Sequence, residues 1–160
     1  MVHNIMSHSN LKIISVKPFS EYINFYIVKK TSTENKTPHC DYKKQVDIIN
    51  GFFSFHENEV KKIKSQIDSK KEHTFIFGAH IFTQYLLAFG LEESFFANVL
   101  DNDPAKQNNR LYGTSLNVKS PKILKDIKSP VVVLKAAMYT EEIKNDILNN
   151  INPNTRFILW

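Results

Sequence analysis

Apolar and polar positions along the chain change their period as it proceeds, and the period divides it into segments. Residues 11–16 (Leu-Lys-Ile-Ile-Ser-Val) and 22–28 (Tyr-Ile-Asn-Phe-Tyr-Ile-Val) are rich in β-branched and aromatic side chains and predict two strands. Lys17-Pro18-Phe19-Ser20-Glu21 between them carries turn chemistry, and the polar stretch 31–39 predicts a loop. Tyr42, Val46 and Ile49 then predict a short helix that Gly51 stops, and residues 56–71 a second helix. From residue 74 the rhythm becomes strand, helix, strand. Thr74–Phe77 is an apolar run, residues 79–89 place Ala79, Phe82, Leu86, Leu87 and Phe89 on one helical face, and Gly90 is the expected left-handed C-cap. Further strands are predicted at 95–100, around 116–118, at 130–134 and at 156–159. Ser120-Pro121 opens one short helix between them, and Thr140-Glu141-Glu142 opens another, with its acids at the positive end.

Strands alternating with helices predict an α/β fold, a Rossmann-like, doubly wound and mostly parallel sheet over 74–160. A β-hairpin and one or two helices over 1–73 precede it. In such a sheet ligands sit outside the carboxyl ends of the strands. Gly78 ends the first of these strands and lets the turn into the helix approach a phosphate, whose charge the helix dipole favours. Asp101 follows 23 residues later, at the end of the second strand, where a carboxylate accepts hydrogen bonds from ribose hydroxyls. The complete Gly-x-Gly-x-x-Gly pattern is absent, so a Rossmann-like core without a nucleotide stands beside the nucleotide-binding reading. His80 follows at the helix start; kept neutral there, it can donate one hydrogen bond to a ligand, and a purely structural histidine fits equally.

Composition narrows the chemistry. The 160 residues, 42% hydrophobic and 23% charged, contain only four glycines, which excludes a glycine-rich phosphate loop. The single cysteine, Cys40, excludes an internal disulfide. No His-x-x-x-His or paired-carboxylate spacing predicts a metal site, and the serines lack the context of a nucleophile elbow. The net charge of +5 comes mainly from residues 1–73, where twelve lysines face eight acids. Lys61, Lys62, Lys64, Lys70 and Lys71 fall on the solvated face of an amphipathic helix, without stacking aromatics, so no nucleic-acid partner is predicted. Neither a membrane span nor a signal pattern is visible, which predicts a cytoplasmic location and no membrane partner.

Taken in order, Ile76-Phe77-Gly78-Ala79 with Leu86-Leu87, Leu100-Asp101-Asn102-Asp103-Pro104-Ala105-Lys106-Gln107, Leu111-Tyr112-Gly113-Thr114, Ser120-Pro121 and Tyr139-Thr140-Glu141-Glu142-Ile143 resemble the C-terminal domain of sugar C-methyltransferases. The resemblance covers about 74–159, and 11–28 looks like the closing hairpin of the preceding methyltransferase domain. It implies a domain that holds a nucleotide-sugar for polysaccharide or deoxysugar biosynthesis. Gly78, Ala79 and His80 then flank the diphosphate, Asp101 the ribose, and Lys106, Gly113, Thr114 and Tyr139 the rim, with Asn102 a further ligand-binding residue. The family's zinc-binding cysteines, its His-Gly-Gly-Ser segment and its S-adenosylmethionine domain have no counterpart here. A lysine expected after the loop glycine is replaced by about Phe82, and an early glycine by Ile76.

The expectation is therefore a nucleotide-sugar-binding domain without autonomous methyl transfer and without a cofactor of its own. S-adenosylmethionine enters only if a partner or further domain supplies its site, and enzymatic status stays open. The alternative is an interaction subunit: an isolated hairpin exposes pairing edges, which predicts a homodimer or a complex with a separate methyltransferase. A dinucleotide-dependent oxidoreductase is disfavoured by the incomplete glycine fingerprint.

Overall fold

A computed structural model of the chain describes residues 5–6, 8–20, 23–32, 41–67 and 70–160. These fall into two compact units, Met1–Asp47 and Ile48–Trp160. Cys40 and most of the predicted 31–39 loop lie outside the described residues.

In the first unit β1 (Leu11–Ser20) pairs antiparallel with β2 (Ile23–Lys30). Both strands are longer than their apolar runs predict. Lys17, Pro18 and Phe19, expected in a turn, continue β1, with Pro18 opposite Asn24. A proline is tolerated because each strand of a two-stranded sheet is an edge. Register shifts at Ile13/Ser15 and Pro18/Ser20 leave Ile14 and Phe19 as extra residues. Phe19 packs edge-on against Phe25 at 5.5 Å.

The two helices expected on either side of Gly51 are one, α1 (Tyr42–Gln66). The apolar stripe explains it. Ile49, Phe52, His56, Val60 and Ile63 recur at spacings of three and four without losing phase across Gly51, and His56, Val60 and Ile63 are buried. An interior glycine costs about 1 kcal/mol, too little to end a helix held by packing.

The second unit has the Rossmann-like architecture. β3 (Thr74–Phe77), β4 (Asn98–Leu100), β5 (Val118–Lys119), β6 (Val131–Leu134) and β7 (Arg156–Leu159) form an all-parallel sheet in the order β5-β4-β3-β6-β7. Every residue of β3 and β6 is buried, as expected of central strands covered on both faces. Alternate side chains feed two cores. Ile76, Val99, Val133 and Ile158 pack with Val60, Ile63 and Leu86; Phe75, Phe77, Val132 and Leu134 pack with Leu124 and Ile147.

α2 (Ile81–Ala88) ends as predicted at Gly90. With Gly90 at φ +99, its N–H reaches Leu87 O at 3.0 Å and the Leu91 N–H reaches Leu86 O at 2.9 Å, closing a Schellman motif. Two predicted strands prove shorter: 95–100 is a 3-10 turn (Glu93–Phe95) followed by β4, and the strand around 116–118 is β5. Ser120 caps a 3-10 helix, Pro121–Asp126, by accepting the Lys122 N–H. α3 (Thr140–Asp146) widens into a π-helical turn, Ile147–Ile151. Buried Asn152 follows it and donates from one amide to Leu124 O and Ile127 O, at 2.7 and 2.8 Å, tying this turn to the 3-10 segment. Among the described residues no helix is long and apolar enough to cross a membrane.

Candidate functional site

The winding of the sheet reverses between β3 and β6: the chain runs outward from β3 through β4 to β5, then returns to β6. At such a switch point the connections leave on opposite faces and open a crevice at the carboxyl ends of the strands. A cleft of about 290 Å³ occupies it. Phe77 and Gly78 line it from the end of β3, His80 and Phe82 from the turn into α2, and Asp101, Asn102 and Lys106 from the loop after β4. Ala136, Ala137, Tyr139 and Ile143 close the side towards α3.

Gly78 has φ +102, and its carbonyl accepts the Thr83 hydroxyl at 2.6 Å and the His80 N–H at 2.9 Å. The turn is thereby folded so tightly that the His80 imidazole covers the Gly78 Cα. A Cβ there would collide with Nε2 and lie 2.6 Å from Cδ2. His80 caps α2: its Nδ1 accepts the Phe82 N–H at 3.2 Å. That bond leaves Nε2 to carry the proton of the neutral ring. Burial holds the imidazole below its usual pKa; Asp101 opposes the shift and Lys106 adds to it. The group facing the cleft is thus a neutral imidazole with one N–H to donate.

Asp101 is buried and knits two loops together. Its Oδ2 accepts the Ala79 N–H at 2.8 Å and Lys106 Nζ at 3.2 Å, while Oδ1 accepts the Asp103 N–H at 2.9 Å. The Asp101 carbonyl receives the Gln107 amide at 2.9 Å. With about two acceptor sites per carboxylate oxygen, Oδ2 is saturated and Oδ1 keeps one for a further donor.

No protein-family model and no curated protein matches the chain.

Of the residues singled out in the sequence, Gly78, His80, Asp101, Asn102, Lys106 and Tyr139 line the cleft together. Ala79 contributes through its backbone, yet its N–H is donated to Asp101. Gly113 and Thr114 lie elsewhere, in a depression shared with Gln84, Leu87 and Glu93. They precede β5, and Arg110 and Asn117 pair across the reversal that contains them, so the reversal points to the amino end of the sheet. There Thr114 spends its hydroxyl on Leu111 O, at 2.9 Å, and Ser115 bonds Glu93.

Sequence reasoning missed the wall formed by Ala136 and Ala137. Ala137 adopts φ +49, a left-handed conformation costing an ordinary residue about 1–2 kcal/mol, and an alanine gives no sign of it in advance. Its position directly after a buried strand was the available signal. Beside the cleft, Lys135 Nζ lies 4.2 Å from the Trp160 ring centroid and 5.5 Å from that of Phe82, a cation held between two aromatic faces.

Proposed function

We propose that the Ile48–Trp160 unit binds a nucleotide or nucleotide-sugar in the crevice between β3 and β6. It would serve polysaccharide or deoxysugar biosynthesis in the cytoplasm without performing methyl transfer itself. One observation carries this reading: His80, whose Nδ1 is taken up by the Phe82 N–H, Lys106 and Asp101, whose Oδ1 keeps an acceptor site, line one cleft together with Phe82 and Tyr139. Two donors suit phosphate oxygens, the acceptor suits a ribose hydroxyl, and Phe82 and Tyr139 suit a base or sugar ring. Because the Ala79 N–H is committed to Asp101, phosphate recognition falls to side chains rather than to the glycine turn. The resemblance to the C-terminal domain of sugar C-methyltransferases supports the choice of ligand class. Isothermal titration of the full chain with ADP, GDP, CDP, UDP and dTDP tests it. Binding of at least one, weakened about tenfold or more by Lys106→Ala, is expected; no heat with any of them overturns the reading.

A second reading, an assembly subunit for a separate methyltransferase or a second copy, rests on the hairpin of the first unit. Ile14, Val16, Phe19, Ile23, Phe25 and Ile27 are all exposed on it. Singly exposed apolar residues are ordinary, but this many on one ribbon are characteristic of interaction surfaces. Light scattering distinguishes the outcomes: a Phe25→Ser, Ile27→Ser variant that leaves the mass of the particle unchanged, with no co-purifying protein, removes this reading.

A further inference from the structure

The loop after β4 has a depression on each side. Lys106 lines the switch-point cleft, whereas the next residue, Gln107, lines a second depression of about 250 Å³, and Asn102 lines both. The second depression is built differently from the first. Where Phe77, Phe82 and Tyr139 supply flat apolar walls to the cleft, its other walls carry Ser120 and Lys122 from the start of the 3-10 segment and Asp146 from the end of α3, beside the apolar Pro104, Pro121 and Ile151. From the proposed reading of the cleft, on which this step rests, we infer that the second depression is the hexose subsite of a nucleotide-sugar. The nucleoside lies in the switch-point cleft and the diphosphate passes Asn102 beside Lys106.

Size and chemistry both lead there. Pockets for small-molecule ligands measure about 300–1,000 Å³, so a cleft of about 290 Å³ lies at the small end of that range, short of a complete nucleotide-sugar. A larger ligand has room to continue across Asn102, which lines both depressions. What it meets is suited to hydroxyl groups, each of which donates once and accepts twice. Gln107 uses one amide N–H on Asp101 O and retains its oxygen and second N–H. Ser120 Oγ accepts the Lys122 N–H at 3.3 Å and keeps its own proton to donate. Asp146 offers one carboxylate oxygen to the Asn150 amide, at 2.8 Å, and has a second. Lys122 adds a donor. Ring hydroxyls on adjacent carbons, each both donor and acceptor, match this mixture of donors and acceptors.

The test uses the full chain, the nucleoside diphosphate that binds best among the five named above, and its glucose, N-acetylglucosamine and rhamnose conjugates. At least one conjugate is expected to bind tenfold or more tighter than the bare diphosphate. Asp146→Asn and Lys122→Ala should remove that gain and leave the affinity for the diphosphate unchanged. Circular dichroism controls for folding, which these exposed positions should not disturb. Equal affinity for the diphosphate and all three conjugates, or a gain that survives both substitutions, overturns the hexose subsite alone. Failure of every diphosphate to bind overturns the underlying reading of the cleft, and the subsite with it.

Discussion

The imidazole of His80 rests on the Cα of Gly78, in the space that a side chain at position 78 would need. The two residues are therefore coupled. Gly78→Ala places a Cβ both on a backbone at φ +102 and in collision with the imidazole Nε2. The backbone strain costs about 1–3 kcal/mol. Expelling the ring also breaks its bond to the Phe82 N–H, a cap worth about 1 kcal/mol. In a His80→Ala background only the backbone cost remains. A double-mutant cycle by urea denaturation is thus expected to show a coupling of about 1 kcal/mol between the two positions. Strictly additive effects would mean that the ring does not occupy this space.

Asp101 and Lys106 form one ion pair but should respond unequally to substitution. Three donors converge on the Asp101 carboxylate from Ala79, Asp103 and Lys106, and Asp101→Asn turns an amide NH₂ towards at least one of them. Leaving a buried donor facing another donor costs about 1–3 kcal/mol. The side chain of Lys106 is 41% exposed, so its pair with Asp101 is screened by water and contributes about 0–1 kcal/mol. Chemical denaturation should therefore find Asp101→Asn clearly destabilised and Lys106→Met nearly neutral. Lys106 is accordingly the variant that reports on ligand binding without disturbing the fold.

His56 gives the chain an acid-sensitive site inside the packing of α1 on α2. Its ring stacks on Phe89 at 4.8 Å and meets Phe52 and Tyr85, and its Nδ1 is buried without a hydrogen-bond partner. Burial lowers its pKa first and the charge of Lys135 lowers it further, while Glu59 pulls the other way. Below about pH 6.5 the unfolded chain takes up a proton at this histidine that the folded chain refuses. Stability contributed by the neutral ring is therefore complete above that pH and declines as the pH falls towards the depressed folded value. His80, shifted in the same direction, adds to the slope. His56→Phe removes the unpartnered nitrogen and should raise stability at pH 7 by about 1 kcal/mol. Its stability should also fall less than that of the parent between pH 6.5 and 5, as read by urea midpoints; parallel pH profiles would refute the assignment.

The features legible in the sequence share one property: the residues that define them are local. The apolar runs Thr74–Phe77 and Val131–Leu134 announce central strands, Gly90 announces the end of α2, and Ser120 announces its cap. Gly78 and Asp101 were visible because strand ends bracket them. Features set by distant contacts were not. Nothing local shows that Asp101 also accepts the Ala79 N–H, or distinguishes Gly113 at the amino end of the sheet from a glycine at the carboxyl end. Asn152 carries no local sign that its amide joins two carbonyls some 25 and 28 residues away. Pro18 and Gly51 misled in the same way. Each is a breaker by propensity, and each is overruled by strand pairing or by a continuous apolar stripe.

Gly51 allows that overruling to be measured. It sits inside α1 with an ordinary helical environment: a Cβ built on it meets no heavy atom within 4 Å. A glycine in this setting pays the entropy of ordering a flexible backbone and returns no contact, so Gly51→Ala is expected to stabilise the chain by about 0.5–1 kcal/mol. In a chain of this size that raises the melting temperature by roughly 2–4 °C per kcal/mol. Gly51→Pro removes an intrahelical N–H and clashes with the preceding turn, so it should cost about 3 kcal/mol and lower the helical circular dichroism signal. If the helix instead ended at this residue, alanine would have to bear a terminating conformation and would destabilise. The sign of the alanine substitution alone therefore decides between one helix of 25 residues and two shorter ones.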